Sequence, residues 1–173
     1  MVKRIASTFG IVILIGFFGY CWFWPEKVSA ALIKADKVVV IKSKRLLILM
    51  RDGEILKAYK IALGKQPKGH KTNAGDRKTP EGIYILDSRN TESKFHKSIH
   101  ISYPSEKDIL NAQKLGVSPG GAIMIHGLPD SLASIGKTHR TWDWTDGCIA
   151  VTNTEIEQIW RLVPDGTPIE IKP

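Results

Sequence analysis

The stretch from Val38 to Leu63 reads VVVIKSKRLLILMRDGEILKAYKIAL. It contains short β-branched or aliphatic runs at Val38–Ile41, Leu46–Met50 and Ile55–Leu63. Polar residues separate the first two runs, and Asp52-Gly53, a pair typical of tight hairpin turns, separates the second from the third. This stretch therefore predicts a β-meander.

The pattern downstream remains that of short strands. We predict strands at Gly82–Leu86, Ala122–Ile125 and Thr167–Ile171. Between the meander and the first of these lies a loop, Lys65–Lys78, which holds five lysine and arginine residues together with glycine and proline. A loop of this length and composition indicates a functional flap rather than a simple connector.

Two helices are predicted from capping and periodicity. In Pro104–Leu115, Ser105 is a possible N-cap, and the expected apolar face is Ile109, Leu110 and Leu115. In Thr152–Val163, Thr152 and Glu155 have the spacing of a capping box, and the expected core stripe is Ile156, Ile159, Trp160 and Val163. The predicted fold class is mainly β with a few helices.

The N-terminal segment resembles an export signal or membrane anchor. Lys3 and Arg4 precede residues 5–24, which carry no charge and are long enough to span a bilayer. This length favours a retained inner-membrane anchor, although Val28-Ser29-Ala30 before Ala31 also fits a cleavage site. We therefore expect residues 1–30 to be a cytoplasmic start, anchor or signal segment and linker, followed by one extracytoplasmic domain at residues 37–173.

The formal charge of the chain is +8, and most of that positive charge belongs to the exported domain. Export argues against nucleic acid as a partner. An anionic envelope polymer, or the carboxylates of a peptide substrate, suits the basic charge better. The alternative is that the scattered lysines only keep the domain soluble.

The sequence Thr145-Asp146-Gly147-Cys148 places a single cysteine after a glycine, and the only other cysteine lies within residues 5–24. An unpaired cysteine in an exported domain suggests a reactive thiol or an intermolecular bridge. The alternative is that Cys148 has no chemical role and only packs as a small buried apolar residue. His126, at the end of a predicted strand and followed by Gly127, is the best candidate base. The Gly147 and Cys148 amides are candidate oxyanion donors.

The other histidines point less clearly to chemistry. His96 and His100 lie four residues apart and could share one strand face, but no accompanying ligand motif supports a metal site, so we predict neither metal nor cofactor. His139 and Arg140 lie shortly before the cysteine turn, and Arg140 offers a planar fork suited to a carboxylate.

Together these residues resemble the L,D-transpeptidase catalytic domain (YkuD-like) family. The resemblance rests on Ile125-His126-Gly127, Thr145-Asp146-Gly147-Cys148, the segment from Gly75 to Gly82 and the early meander, and it spans most of Val38–Ile171. It implies a β-sandwich-like fold and an exported enzyme, here placed in the periplasm, that acts on peptidoglycan stem peptides. It further implies Cys148 as nucleophile, His126 as base, the Gly127 carbonyl as a possible orienter of the imidazole, and an oxyanion hole at Gly147 and Cys148.

The chain departs from the family pattern beside the cysteine. The family usually has histidine two positions before it and arginine two positions after it, where this chain has Asp146 and Ala150. An insertion-like stretch, Leu128–Trp144, separates the histidine from the cysteine turn. These differences concern substrate handling, and they make Asp146, His139 and Arg140 the candidate substrate-binding residues.

The resemblance implies peptidoglycan cross-linking, or attachment of an envelope lipoprotein, through an acyl-enzyme on Cys148. A hydrolase of the same fold, either an L,D-carboxypeptidase or an amidase that releases wall-bound lipoprotein, is the main alternative. A non-catalytic wall-binding protein is the third possibility. The choice among the acceptors, namely a second stem, a lipoprotein or water, depends on pocket shape and water exclusion rather than on a sequence motif.

Overall fold

The computed structural model describes residues 33–173, in which eight strands form a single curled sheet. The strands are β1 (Lys37–Ile41), β2 (Leu46–Arg51), β3 (Glu54–Lys60), β4 (Gly82–Ser93), β5 (His96–Ile101), β6 (Met124–His126), β7 (Ile149–Ala150) and β8 (Thr167–Lys172). Their order across the sheet is β3-β2-β1-β8-β4-β5-β6-β7. The mainly β prediction is confirmed.

The first three strands form the predicted meander. Strands β1 and β2 pair antiparallel from Lys37↔Met50 to Ile41↔Leu46, and β2 pairs antiparallel with β3. Both Asp52 and Gly53 have positive φ, which is the conformation that a two-residue hairpin turn of this kind requires. Strand β1 also pairs in parallel with β8, so the meander joins the C-terminal strand.

The sheet curls far enough for its two ends to meet. The predicted third strand ends at Lys60 rather than Leu63, because the chain turns there and crosses to the other end of the sheet. Ala62 then bridges to Ala150, and Gly64 bridges to Thr145. The exit of the meander is thereby fixed beside β7 and the turn that precedes it.

The core fills the inside of the curl with residues that alternate along the strands. Val38 and Val40 of β1 face it, as do Leu47 and Leu49 of β2, since alternate side chains of a strand share one face. Further fully buried members come from the other strands and the second helix: Leu86, Ile99, Ile101, Ile125, Ile149, Ile156, Ile159 and Ile169.

The second helix, α2 (Asn153–Leu162), begins as predicted. Thr152 is its N-cap, and Thr152 and Glu155 form the expected capping box. Ile156 and Ile159 are buried. Trp160 is only partly buried, with the Arg89 guanidinium 4.8 Å and the Lys97 ammonium 5.2 Å from its ring, so the assignment of this tryptophan to the core was too strong.

The first helix, α1 (Glu106–Lys114), has the predicted Ser105 cap, but its predicted buried face is wrong. The three apolar residues expected to pack inward, Ile109, Leu110 and Leu115, are exposed. Asp108 and Ala112 are the buried residues instead. Asp108 accepts hydrogen bonds from Ser105 and Tyr84 and pairs with His70, so polar contacts fix this helix.

Four elements were not among the predicted strands and helices. Strand β5 lies between β4 and β6, β7 ends the sheet, and a short 3-10 helix occupies Lys42–Lys44. The insertion-like stretch contains a 3-10 helical segment, Asp130–Thr141, kinked at Gly136. Within residues 33–173, no helix combines the length and apolar character needed to cross a bilayer. The predicted anchor at residues 5–24 lies outside the described residues.

Candidate active site

Two neighbouring strands bring His126 and Cys148 together. Strands β6 and β7 pair in parallel, with Ile125 opposite Ile149 and His126 opposite Ala150. Cys148 directly precedes β7, and the same register places it beside Met124. Because alternate residues of a strand face the same side, the imidazole and the thiol lie on one face of the sheet edge. The curl, rather than sequence proximity, creates this arrangement.

The Cys148 thiol is partly exposed and weakly hydrogen-bonded. Its Sγ donates to the carbonyl oxygen of Ala122 at 3.6 Å. Burial raises the pKa of the Cys148 thiol, and the Met124 amide acts against this shift. The Asp146 carboxylate raises the pKa further, and Lys71 has the least effect, in the opposite direction. The resting sulfur is therefore a neutral thiol at neutral pH.

His126 is held as a neutral base. Its Nδ1 lies 2.7 Å from the carbonyl oxygen of Gly127, and since a carbonyl only accepts, Nδ1 carries the proton and Nε2 keeps its lone pair. Burial lowers the pKa of His126 to about 4, although the Gly127 hydrogen bond acts against this shift. The ring lies between Phe95, at 4.3 Å between centroids, and Trp144, at 5.7 Å.

A neutral thiol beside a neutral imidazole defines the resting chemistry. The pair does not store a thiolate and an imidazolium, so the predicted attack by Cys148 would require its proton to pass from Sγ to the imidazole as the sulfur attacks. The arrangement fits the predicted roles of Cys148 as nucleophile and His126 as general base.

The turn before Cys148 accommodates only glycine at position 147. Its φ is +132°, and a Cβ there would lie 2.7 Å from the Lys78 carbonyl oxygen. Its amide donates to Thr145 Oγ1 at 3.2 Å, and the Thr145 hydroxyl donates to the Cys148 carbonyl at 2.7 Å. The Gly147 amide, predicted as an oxyanion donor, is thus occupied at rest and must leave Thr145 to bind a substrate oxygen.

Gly127 is required for packing rather than for an unusual backbone. A Cβ on Gly127 would lie 2.6 Å from Asn153 Oδ1 and 3.0 Å from the Phe95 carbonyl oxygen. Asn153 Oδ1 accepts from the Leu128 amide at 2.6 Å. The start of α2 and the turn before β5 therefore fill the space beside Gly127.

His139 and Arg140 lie in positions unsuited to the predicted contact with substrate. His139 is fully buried, burial lowers its pKa to about 4, and its Nδ1 accepts from Trp144 Nε1 at 3.4 Å. Arg140 is largely buried and forms an ion pair with Glu155 of the α2 capping box. His139 lies behind His126, because the Trp144 ring packs against both imidazoles.

Asp146, by contrast, is highly exposed beside Cys148. Its Oδ1 lies 3.2 Å from Lys65 Nζ and 3.9 Å from Arg77 Nε, and its side chain is 77% exposed. Both cations belong to the predicted flap. The structure therefore brings the basic loop and the acidic residue of the cysteine turn to the same opening.

His96 and His100 share β5 but do not converge on one ion. His96 pairs with Glu157 at 2.9 Å and with Asp130 at 3.4 Å, while His100 pairs with Asp87 at 2.7 Å. Across residues 33–173, no group of three or more potential metal ligands is assembled.

Sequence reasoning missed Phe95, the Thr145 hydroxyl and the Asp76 anchor of the flap. Phe95 reaches the imidazole from the turn between β4 and β5, and no local signal marks it. Asp76 was detectable, because an aspartate in a glycine-containing loop often accepts from the amide two residues further on, here that of Lys78.

Several solved bacterial structures are similar to this chain. The helical cell shape determining protein Pgp2 of Campylobacter jejuni superposes with a TM-score of 0.60 at 27% identity, covering 79% of this chain and 48% of Pgp2. Bd1075 of Bdellovibrio bacteriovorus superposes with a TM-score of 0.54 at 25% identity, covering 80% of this chain and 47% of Bd1075. An L,D-transpeptidase of Xylanimonas cellulosilytica superposes with a TM-score of 0.51 at 15% identity, covering 80% of this chain and 61% of that protein. At this identity the similarity shows the fold alone.

Sequence comparison adds a curated relative and a family. YafK of Escherichia coli (strain K12), whose name assigns it to the L,D-transpeptidases, is 30% identical over 132 residues, 73% of this chain. This chain covers only 46% of that relative's length. The sequence profile of the L,D-transpeptidase catalytic domain (YkuD) matches residues 35–171, which include both His126 and Cys148. This chain belongs to the L,D-transpeptidase catalytic domain family.

Proposed function

We propose that this chain is a cysteine-dependent L,D-transpeptidase that acts on peptidoglycan tetrapeptide stems. The observation that carries the proposal is the fixed tautomer of His126, whose Nδ1–H donates to the Gly127 carbonyl at 2.7 Å. That bond leaves Nε2 as a base on the sheet face that also presents Cys148. Membership of the L,D-transpeptidase catalytic domain family supports peptidoglycan stem peptides as the substrate class.

In the first half-reaction, Sγ of Cys148 attacks the carbonyl carbon of the third stem residue while its proton passes to His126. The carbon–sulfur bond forms, and the bond to the terminal D-alanine breaks. His126 returns the proton to the departing amine. The product is a thioester on Cys148 and free D-alanine.

In the second half-reaction, an amine of an acceptor attacks the thioester, and the sulfur leaves and recovers a proton. The side-chain amine of a second stem gives a cross-link, whereas a lysine of an envelope lipoprotein gives an attachment. Water gives a shortened tripeptide instead, which is the hydrolase reaction. The acceptor decides between these outcomes.

The cellular setting is part of the same proposal. The uncharged residues 5–24 support an inner-membrane anchor with the domain in the periplasm, where stem peptides are found. The similarity to Pgp2, a helical cell shape determining protein, supports a role in wall remodelling that affects cell shape.

The test is mass spectrometry of tetrapeptide muropeptides incubated with the full chain in detergent, beside a Cys148→Ala control. Cross-linked dimers lacking one D-alanine, found only with the wild-type chain, support transpeptidation. Tripeptide monomers alone indicate the hydrolase. If the wild-type chain and the control give identical muropeptides, with and without a lysine-bearing lipoprotein peptide, the catalytic proposal is contradicted.

A further inference from the structure

The outer side of the sheet, which faces away from the core, is apolar around β1. Strands β1 and β2 contain the unbroken apolar runs VVVI and LLILM. A strand with one face in a core usually alternates apolar and polar residues, whereas an unbroken apolar run is typical of a strand covered on both faces. The core covers the inner side, on which Val38 and Leu47 lie. The outer side therefore has the composition of a surface that another partner covers.

The strand registers show how far this surface extends. Ile83 of β4 is opposite Glu170 of β8, and Glu170 is opposite Val39 of β1. Val39 is in turn opposite Ile48 of β2. Since residues opposite each other share one side of a sheet, a single surface crosses four neighbouring strands. We name it the outer apolar face, and its apolar members are Val39, Ile41, Leu46, Ile48, Met50, Ile83, Ile85 and Pro168.

The outer apolar face is open to solvent, most of all at β4. Ile83 is 71% and Ile85 39% exposed, although isoleucine is among the residues most often fully buried. Val39 is buried, and the half-buried members are Ile41, Leu46, Ile48, Met50 and Pro168. Apolar side chains that lie exposed next to one another mark a surface that contacts a partner.

The charged residues interleaved with this face are mostly basic. Four of them lie directly opposite its apolar members, namely Lys37, Lys60, Glu170 and Lys172. Glu170 pairs with Lys37 at 2.7 Å and with Lys172 at 3.1 Å, which leaves the group of four positively charged. Two copies of the chain would bring like charges together on this face, whereas an anionic surface would complement it.

The chain enters this face from the side of the predicted membrane anchor. Strand β1 is the first strand of the domain, and residues 25–36 connect it to residues 5–24. A linker of that length spans at most about 40 Å when it is fully extended. Such a short tether holds the domain beside the bilayer, so lipid is the surface that the face meets at high effective concentration.

We propose that the outer apolar face docks on the surface of a bilayer that contains anionic lipids. Ile83 and Ile85 enter the boundary between the headgroups and the acyl chains. The lysines of the face contact anionic headgroups while their methylene stems lie along the apolar side chains. This inference goes beyond the proposed reaction, and it rests on the inner-membrane anchor that is part of the proposed function.

The test places a fluorescent probe on the outer apolar face of the full chain. Cys21→Ala and Cys148→Ala first remove both cysteines of the chain. Ile83→Cys then carries an environment-sensitive fluorophore. Leu132→Cys is the matched control, because Leu132 is also an exposed apolar residue, at 47%, but belongs to the insertion-like stretch. Each protein is reconstituted into vesicles of phosphatidylethanolamine and phosphatidylglycerol, with or without lipid that carries a doxyl quencher near its headgroup.

We expect the doxyl lipid to lower the fluorescence of the probe at position 83 by about twofold, because docked apolar residues lie about 5–10 Å into the headgroup and acyl boundary. The probe at position 132 should be nearly unchanged. Adding Ile85→Glu should abolish the quenching at position 83, because a carboxylate would then face the lipid. Vesicles of phosphatidylcholine alone should weaken the quenching, since they carry no net negative charge.

Three results would overturn the docking. They are equal quenching at the two positions, no quenching at position 83, and quenching at position 83 that survives Ile85→Glu. A probe at position 83 that is shielded from iodide in water but not quenched by doxyl lipid would show that protein, rather than lipid, covers the face.

Flotation of the vesicles separates this inference from the proposed anchor. If the chain floats with the vesicles but the probe at position 83 is not quenched, the anchor stands and only the docking fails. If the chain does not float, both are contradicted. The proposed reaction is judged separately by the muropeptide assay, because the labelled chain carries Cys148→Ala.

Discussion

The hydroxyl of Thr145 closes the cysteine turn on itself, because it donates to the Cys148 carbonyl at 2.7 Å and accepts from the Gly147 amide at 3.2 Å. The same turn is tied to the meander exit, where Gly64 bridges to Thr145. The position of Cys148 thus depends on a buried hydroxyl as well as on the glycine. It also means that the resting turn hides one of the predicted oxyanion donors.

Replacing this hydroxyl should loosen the nucleophile. Thr145→Val keeps the shape of the side chain but leaves the buried Gly147 amide and the Cys148 carbonyl without this partner. We expect a loss of about 2 kcal/mol in the free energy of unfolding and a fall of at least about 10-fold in the rate of thioester formation. Urea denaturation and single-turnover mass spectrometry would measure the two effects.

Thr145→Ser is the matched control, since it retains the hydroxyl and should stay close to the wild type in both assays. Wild-type rates in Thr145→Val would show that the hydroxyl does not position Cys148.

The buried neutral state of His126 makes stability depend on pH. Its pKa is about 4 in the folded protein and about 6.5 in an unfolded chain, so between these values the unfolded state binds more protons. Stability is therefore full above the unfolded pKa and falls as the pH drops from 6.5 toward 4. The His126 effect alone should lower the free energy of unfolding by about 2 kcal/mol between pH 7 and pH 5. The lowered pKa of His139 acts in the same direction.

Urea denaturation at both pH values tests this dependence, with His126→Phe as the comparison. The variant should show a smaller loss between pH 7 and pH 5. An equal loss in the two proteins would mean that His126 titrates normally in the folded state.

The meander and α2 were predictable because their signals are local. The Asp52-Gly53 turn and the Thr152/Glu155 box each lie within a few residues of the element they define. Strand β5 was missed because its place depends on pairing with both β4 and β6, distant in sequence from each other. The face of α1 was misassigned because Asp108 gains buried polar partners that periodicity does not reveal.

The candidate site likewise contains residues that the sequence identified and residues that it did not. His126 and Cys148 stand out by their glycine neighbours, and the structure brings them to adjacent strands. The substrate contact expected of Arg140 rested on closeness in sequence to Cys148, whereas folding directs this arginine toward Glu155. Arg77 lies beside Asp146 although it belongs to the flap, about seventy positions upstream, where no local pattern links it to the cysteine.

In the free protein, the alkylation rate of Cys148 should depend on pH as expected for a thiol whose pKa is not lowered. Burial raises the pKa of Cys148, so the thiolate fraction at pH 6 is small and the rate of reaction with iodoacetamide should keep rising beyond pH 8. Mass spectrometry of the adduct over a pH series measures the rate. A plateau reached below pH 7 would instead reveal a resting thiolate–imidazolium pair. Asp146→Asn removes a carboxylate that raises the pKa, and it should shift the profile toward lower pH.

The Arg140–Glu155 pair should stabilise the protein rather than bind substrate. Both side chains are largely buried, and Glu155 also accepts from the Thr152 amide at 3.0 Å, so removing the guanidinium leaves a carboxylate uncompensated at the start of α2. Arg140→Ala should therefore lower the free energy of unfolding by about 3 kcal/mol while leaving the Michaelis constant for tetrapeptide stems close to that of the wild type. Urea denaturation and initial-rate kinetics below the melting range measure the two quantities.

Arg161→Ala, in the last turn of the same helix, is the matched control and should change stability much less. A large rise in the Michaelis constant at unchanged stability would return Arg140 to the substrate-binding role that the sequence first suggested.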